Sequence, residues 1–340
     1  MRPRILSPRL LGATALLAAS ALALSACSSG ASDTSSDAAA TGSTVATMFG
    51  DIEVPAASDD VKVVALGWSD AEMALALGVA PIAVEDWQGF GEDNKGVGSW
   101  ATDEFGDVTP TLIARADSGL NYEEIQALSP DLILNTRSSN DEEEFDRLNE
   151  IAPTIYAPAD TGAFATSWDV QLQQVGDALG KSDEAAALVE STKADIQAAA
   201  DEHPEFAGLT AVAATKFGDA YGAYLAGDGR FDILSDLGFV QNPPVEALEA
   251  SGFYAAVSAE NVSAFDADVA VVLPIGFTAA EIEADPLLAS LKVMQDGRAI
   301  VLDADDELSG AYSAASVLSI QVVLKDLVPQ LADAAAKVAS

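Results

Sequence analysis

Short apolar runs alternate with amphipathic stretches along most of the chain. "KVVAL" (62–66), "PIAV" (81–84), "DLILN" (131–135) and "PTIYA" (153–157) stand in the first half. "LTAVAAT" (209–215), "GAYLA" (222–226), "DVAVVL" (268–273) and "AIVL" (299–302) stand in the second. Their length and near-continuous apolarity predict strands buried on both faces. Helical patterns lie between them, as in "SDAEMALALG" (69–78), where Ser69 or Asp70 can cap and Gly78 ends the turn. Strand–helix alternation of this kind predicts an α/β fold with parallel sheets covered by helices.

One long helical pattern interrupts the alternation. It runs from Ser167 to His203, with Val170, Leu172, Val175, Leu179, Ala186, Val189 and Ile196 spaced near 3.6 residues and Pro204 as its stop. Gly180–Lys181–Ser182 is expected to break or bend it. At 1.5 Å per residue, a helix of ~25 residues spans roughly 35 Å, enough to bridge two lobes. The expected division is an N-terminal lobe over 48–166, a bridging helix over 167–203 and a C-terminal lobe over 204–340. Two ordinary helices within one domain are the alternative.

A short pattern occurs once in each half. "EEIQALSPDLIL" (123–134) and "ENVSAFDADVAV" (260–271) both open with Glu, carry Ala four places on and Asp eight places on. Apolar residues match at Ile125 and Val262, Leu128 and Phe265, Leu132 and Val269, and Leu134 and Val271. Each copy reads as a short helix, a turn and a buried strand, with Asn121 and Ser258 as N-caps. A carboxylate in a first helical turn gains about 0.3–1 kcal/mol from the helix dipole, so helix stabilisation alone could account for Glu123 and Glu260.

The chain opens with a different pattern. Arg2, Arg4 and Arg9 precede the uncharged apolar stretch "LLGATALLAASALAL" (10–24), and "LSAC" ends it at Cys27, the only cysteine. That is a signal segment rather than a membrane span, and "LSAC" resembles the lipobox of bacterial lipoproteins, which implies a lipid-modified Cys27 anchoring the chain to the outer face of the cell membrane. Residues 28–47 are small, polar and aperiodic and are expected to form a flexible tether. With no further cysteine there is no disulfide framework.

Composition then removes some functions. The net charge of −38 speaks against nucleic acid as a partner, since phosphate binding needs clustered Lys and Arg. His203 is the only histidine, which disfavours capture of a free metal ion. The Gly-rich "GFGEDNKGVG" (89–98) lacks phosphate-loop spacing, and "DADDEL" (303–308) lacks that of an EF-hand. Nothing identifies a catalytic residue, and neither a resident metal nor a cofactor is expected.

The mature chain resembles the substrate-binding lipoproteins of ABC importers for iron-siderophores, cobalamin and haem. The resemblance is carried, in order, by "GDIEVPAASDDVKVVALGWSDAEMALALGVAPIAV" (50–84), "GLNYEEIQALSPDLIL" (119–134) with "LNEIAPTIY" (148–156), "VSAENVSAFDADVAVVLP" (257–274) and "DPLLASLKVMQDGRAIVLD" (285–303). It implies two Rossmann-like lobes joined by a long helix, a ferric siderophore held between them, and a permease dimer that one exposed Glu on each lobe contacts. By position these are Glu123 and Glu260. A single copy of the chain is expected to act. Haem or cobalamin as cargo, and an adhesion or scaffold lipoprotein without any cleft, are the alternatives.

Ligands of open α/β sheets sit beyond the carboxyl ends of the strands. Candidates there are Trp68, Trp87, Arg137, Lys216, Tyr221, Tyr224, Arg230 and Phe277, with Trp100 in the Gly-rich loop and Tyr312 in "ELSGAYS". Aromatic walls with a few cations suit a bulky, partly apolar chelate. So small a supply of cations favours a hydroxamate or mixed ligand over a catecholate.

Overall fold

A hairpin opens the structure: β1 (Thr44–Thr47) pairs antiparallel with β2 (Gly50–Glu53), and Val45 and Ile52 turn into the core. Phe49 at its tip stacks on Phe145 with ring centres 4.7 Å apart. The expected tether therefore ends before Thr47, because Val45, Ile52 and Val54 form one apolar face once the turn pairs them. The computed structural model describes residues 42–56, 58, 60–116 and 119–338, so the expected signal segment, Cys27 and the earlier part of the tether lie outside it.

The first lobe is built on five parallel strands, β3 (Val63–Ala65), β4 (Ala83–Glu85), β5 (Thr111–Ile113), β6 (Leu132–Asn135) and β7 (Thr154–Tyr156). Their order is β5-β4-β3-β6-β7. The chain leaves β3 in one direction and later returns to its other side, so a crevice opens between the carboxyl ends of β3 and β6. The central residues Val63, Val64, Ile133 and Leu134 are fully buried, as unbroken apolar runs require.

The second lobe holds β8 (Thr210–Phe217), β9 (Ala220–Tyr224), β10 (Val240–Gln241), β11 (Ala250–Ser251), β12 (Tyr254–Val257), β13 (Val269–Ile275) and β14 (Ala299–Val301). The path β11-β12-β9-β8-β13-β14 is mixed, with β10 added on β8. β13, β14 and β10 are parallel to their neighbours, whereas β9, β12 and β11 are antiparallel. The expected parallel reading of "GAYLA" is thereby corrected. Gly218–Asp219 closes a two-residue turn between Phe217 and Ala220, with Gly218 at φ 51, and turns the strand straight back.

The long helical pattern becomes two helices, Trp168–Ala178 and the 21-residue Ser182–Glu202. They fold back on one another. Lys193 Nζ lies 2.5 Å from Asp169 Oδ2 near one end, and Gly176 faces Ala185 near the other. Gly180 at φ 68 makes the break. A bridge between lobes is present, about 32 Å long at 1.5 Å per residue, but it is one arm of a helical hairpin rather than a single continuous rod.

The lobes are tied a second time near the C-terminus. Ser69 Oγ and Arg137 Nη1 of the first lobe donate to the carbonyl of Ala314, at 2.8 and 2.9 Å. Ser316 Oγ donates to the Glu72 carboxylate. Ala315 between them is left-handed, with φ 46, and is packed against Gly229. Three polar side chains from one lobe thus grip one bend of the other.

The repeated pattern acquires a structural cause for its aspartates. Asp131 Oδ2 accepts from the Lys62 backbone N–H, just before β3, at 2.9 Å. Asp268 Oδ2 accepts from the N–H and hydroxyl of Thr210, at the start of β8, at 2.9 and 2.8 Å. In each lobe the carboxylate ends the parallel ladder by satisfying a donor that has no further strand residue to pair with. The copies differ at the helix. Tyr122–Leu128 is α-helical and Asn121 caps it by accepting from Glu124 N–H at 3.2 Å. Ala259–Phe265 is a 3-10 helix, and Ser258 makes no side-chain cap, contrary to expectation.

Candidate functional site

Asp70 organises the strand ends of the first lobe. Its carboxylate is fully buried and accepts from Gly67 N–H at 3.1 Å, Thr136 N–H at 2.9 Å, the Thr136 hydroxyl and Gln171 Nε2 at 2.7 Å. Burial pushes this carboxyl up, and its donors pull it back. Gly67 and Thr136 follow β3 and β6, so one side chain fixes both lips of the crevice. Trp68, next in the chain, is held by its own backbone: its N–H donates to Arg137 O at 2.9 Å and its carbonyl accepts from Gln171 at 2.8 Å.

From there Trp68 enters a cavity of about 880 Å³ lined by both lobes. Trp68 stacks on Trp87 with ring centres 4.7 Å apart and lies 4.3 Å from Phe164. The second lobe contributes Tyr224 and Phe253, near-parallel rings 6.4 Å apart, with Tyr254 and Phe217 beside them. Trp100 and Phe90 meet edge-to-face at 5.6 Å. Trp100 Nε1 donates to Glu72 at 2.7 Å, which sets the ring's angle. The rim carries Asp305, Asp306 and Glu307, and Glu307 accepts from Ser99 Oγ of the opposite lobe at 2.5 Å.

Of the residues expected here, Trp68, Trp87, Trp100, Tyr224 and Arg230 line the cavity. Arg137, Lys216, Tyr221, Phe277 and Tyr312 do not. Side chains alternate across a strand, so Thr215 and Phe217 of β8 face the cavity while Lys216 faces away. There Lys216 meets Asp285 at 3.1 Å, and its ammonium lies 4.5 Å from the Tyr221 ring and 5.2 Å from that of Phe277. Tyr221 donates to the same Asp285 at 2.8 Å. Tyr312 is buried, and its hydroxyl donates to Arg230 O at 2.6 Å. It supports the wall from behind.

Both arginines are committed. Arg230 donates twice to Asp228, at 2.7 and 2.6 Å, and its guanidinium lies 3.7 Å from the Tyr224 ring. Burial works against its charge, yet Asp228 holds its pKa up. Arg137 is 2% exposed, bonded to Ala314 O and Phe164 O, and 3.9 Å from the same Asp228. Burial pushes its pKa down to about 10. It backs the Trp68 ring at 5.8 Å instead of facing the cavity.

Phe90, Phe217, Phe253 and Tyr254 were not anticipated as site residues. Phe217 carries a readable signal, since it ends an apolar strand. Tyr254 opens an antiparallel strand and Phe253 sits in the turn before it, where a rule for parallel strand ends does not look. Among the described residues no group of three or more His, Cys, Asp or Glu could hold a metal ion, and no helix is long and apolar enough to cross a membrane. His203 pairs with Glu205 and stacks on Phe206, outside the cavity.

Two lobes meeting around one aromatic cavity define a protein built to hold a solute. Residues 63–305 match the periplasmic binding protein family, and the chain belongs to it. A periplasmic solute binding protein from Mycobacterium smegmatis is 30% identical, with a TM-score of 0.75 over 86% of this chain and 99% of that one. The iron uptake ABC transporter substrate-binding protein PiaA of Streptococcus pneumoniae is 25% identical, with a TM-score of 0.70 and the same coverage. The ferric-anguibactin-binding protein FatB of Vibrio anguillarum is 27% identical over 223 residues, or 61% of this chain. The match spans 66% of FatB, just under two thirds of its length.

Proposed function

We propose that this protein captures a ferric siderophore outside the cytoplasm and delivers it to the permease of an ABC importer. The observation that carries the reading is the aromatic cavity between the lobes, at the strand ends where α/β sheets bind ligands. It occurs in a chain similar to proteins named for iron uptake and for ferric-anguibactin binding. In this reading the protein is a carrier and not an enzyme, its cargo takes the place of any cofactor, and Cys27 bears the lipid that keeps it at the membrane.

Glu123 and Glu260 are exposed, one on each lobe, and neither forms an ion pair among the described residues. Both carboxylates are free to meet arginines on the two halves of a permease dimer, where charge-assisted pairs set orientation and on-rate. The helix dipole accounts for a first-turn acid but not for its exposure in matching places on both lobes.

The test has two arms. Titration with ferrichrome, haemin and cobalamin, followed by tryptophan fluorescence, is expected to show saturable quenching by the ferric siderophore, since three of the four tryptophans line the cavity. The pair Glu123→Arg and Glu260→Arg is expected to abolish uptake while binding stays intact. Silence toward the ferric chelate removes the cargo assignment, and undiminished uptake removes the docking role.

A further inference from the structure

We infer that the cavity selects a ferric chelate with no net negative charge, such as iron(III) wrapped by three hydroxamates, and rejects the trianionic tris-catecholate class. This rests on the iron-chelate function proposed above and names the charge class of its cargo. The argument is a balance of charges around the cavity. Arg230 is the only Lys or Arg side chain among its lining residues. It is 4% exposed, forked onto Asp228 and laid on the Tyr224 ring. Arg137 behind it shares that same carboxylate and spends its other donors on the carbonyls of Ala314 and Phe164. The two guanidiniums and Asp228 leave one positive charge. Against it stand the rim acids Asp305, Asp306 and Glu307.

A trianion entering this cavity would lose water and find no free cation to replace it, the costliest way to bury charge. The chain as a whole, at −38, adds repulsion at long range. A chelate whose donors already cancel the iron charge meets neither cost. Its methylene arms gain from the rings of Trp68, Trp87, Tyr224 and Phe253, and an ammonium on its periphery is favoured by ring faces and rim carboxylates alike.

The purified protein is titrated with ferrioxamine B, which is singly positive, ferrichrome, which is neutral, and ferric enterobactin, a trianion. Quenching is expected with both hydroxamates, and the trianion is expected to bind at least tenfold more weakly. Asp305→Lys, at an exposed rim position, is expected to narrow that gap at low salt by strengthening the trianion more than ferrichrome. A gap below tenfold, or one that Asp305→Lys does not narrow, overturns the charge inference and leaves the carrier function standing. Absence of quenching by all three chelates overturns both.

Discussion

Replacing Glu72 by Gln removes a charge at the seam between the lobes and keeps an oxygen for its partners. Glu72 is 1% exposed, on the Asp70–Ala76 helix, and accepts from Trp100 Nε1 and Ser316 Oγ. Burial pushes its carboxyl up from 4.5 to about 7, against the pull of those two bonds and of Arg137. The unfolded chain releases this proton near 4.5, whereas the folded chain keeps it until about 7. The raised value favours folding when both states are protonated at low pH. That stability drains away as pH rises from 4.5 to about 7 and stays lost above it. Each pH unit is worth about 1.4 kcal/mol, so the full loss is about 3 kcal/mol. The Gln variant has no such loss. In urea unfolding across this pH range, the two proteins are expected to agree near pH 4.5, and Glu72→Gln to be more stable by about 3 kcal/mol near pH 8. Subtracting wild type from variant cancels every other titrating group. A difference that does not change with pH, or one that turns against the variant as pH rises, would refute the reasoning.

The paired aspartates differ in how many donors they satisfy. Asp268→Ala strands the Thr210 N–H and hydroxyl and is expected to cost about 2 kcal/mol in urea unfolding, whereas Asp131→Ala leaves one exposed N–H and costs about 1 kcal/mol or less. Equal losses would mean the two carboxylates are not doing the work assigned to them. Gly222 lies directly under the Tyr254 ring, with no room for a Cβ. Gly222→Ala is expected to push that ring off the cavity wall, lower chelate affinity severalfold and destabilise the fold by about 1–3 kcal/mol. Unaltered affinity would remove Tyr254 from the binding wall.

Eight apolar runs announced most of the sheet strands because a strand covered on both faces leaves a continuous hydrophobic signature. β5 escaped, since Thr111 is exposed and Leu112 only half-buried, so Thr111–Leu112–Ile113 leaves no continuous apolar run. The antiparallel half of the second sheet was also hidden, although Gly218–Asp219 is the turn that produces it. That miss carried over to the site: Tyr254 opens β12 and Phe253 sits in the turn before it, and both are brought to the cavity by the pairing of β12 with β9. Trp68 and Trp87 were legible because they follow parallel strands directly. Lys216 was misplaced for want of alternation along β8, where Thr215 and Phe217 take the cavity side. Arg137 and Arg230 are legible as cleft cations, but nothing in the sequence shows that both converge on Asp228 across the lobes.

The grip on Ala314–Ser316 has a mechanical consequence. Two halves hinged at one place swing like a book, but halves stitched at two places can only rock. A wide gape would tear the bonds of Ser69, Glu72 and Arg137 together, so empty and laden forms must present nearly the same outline.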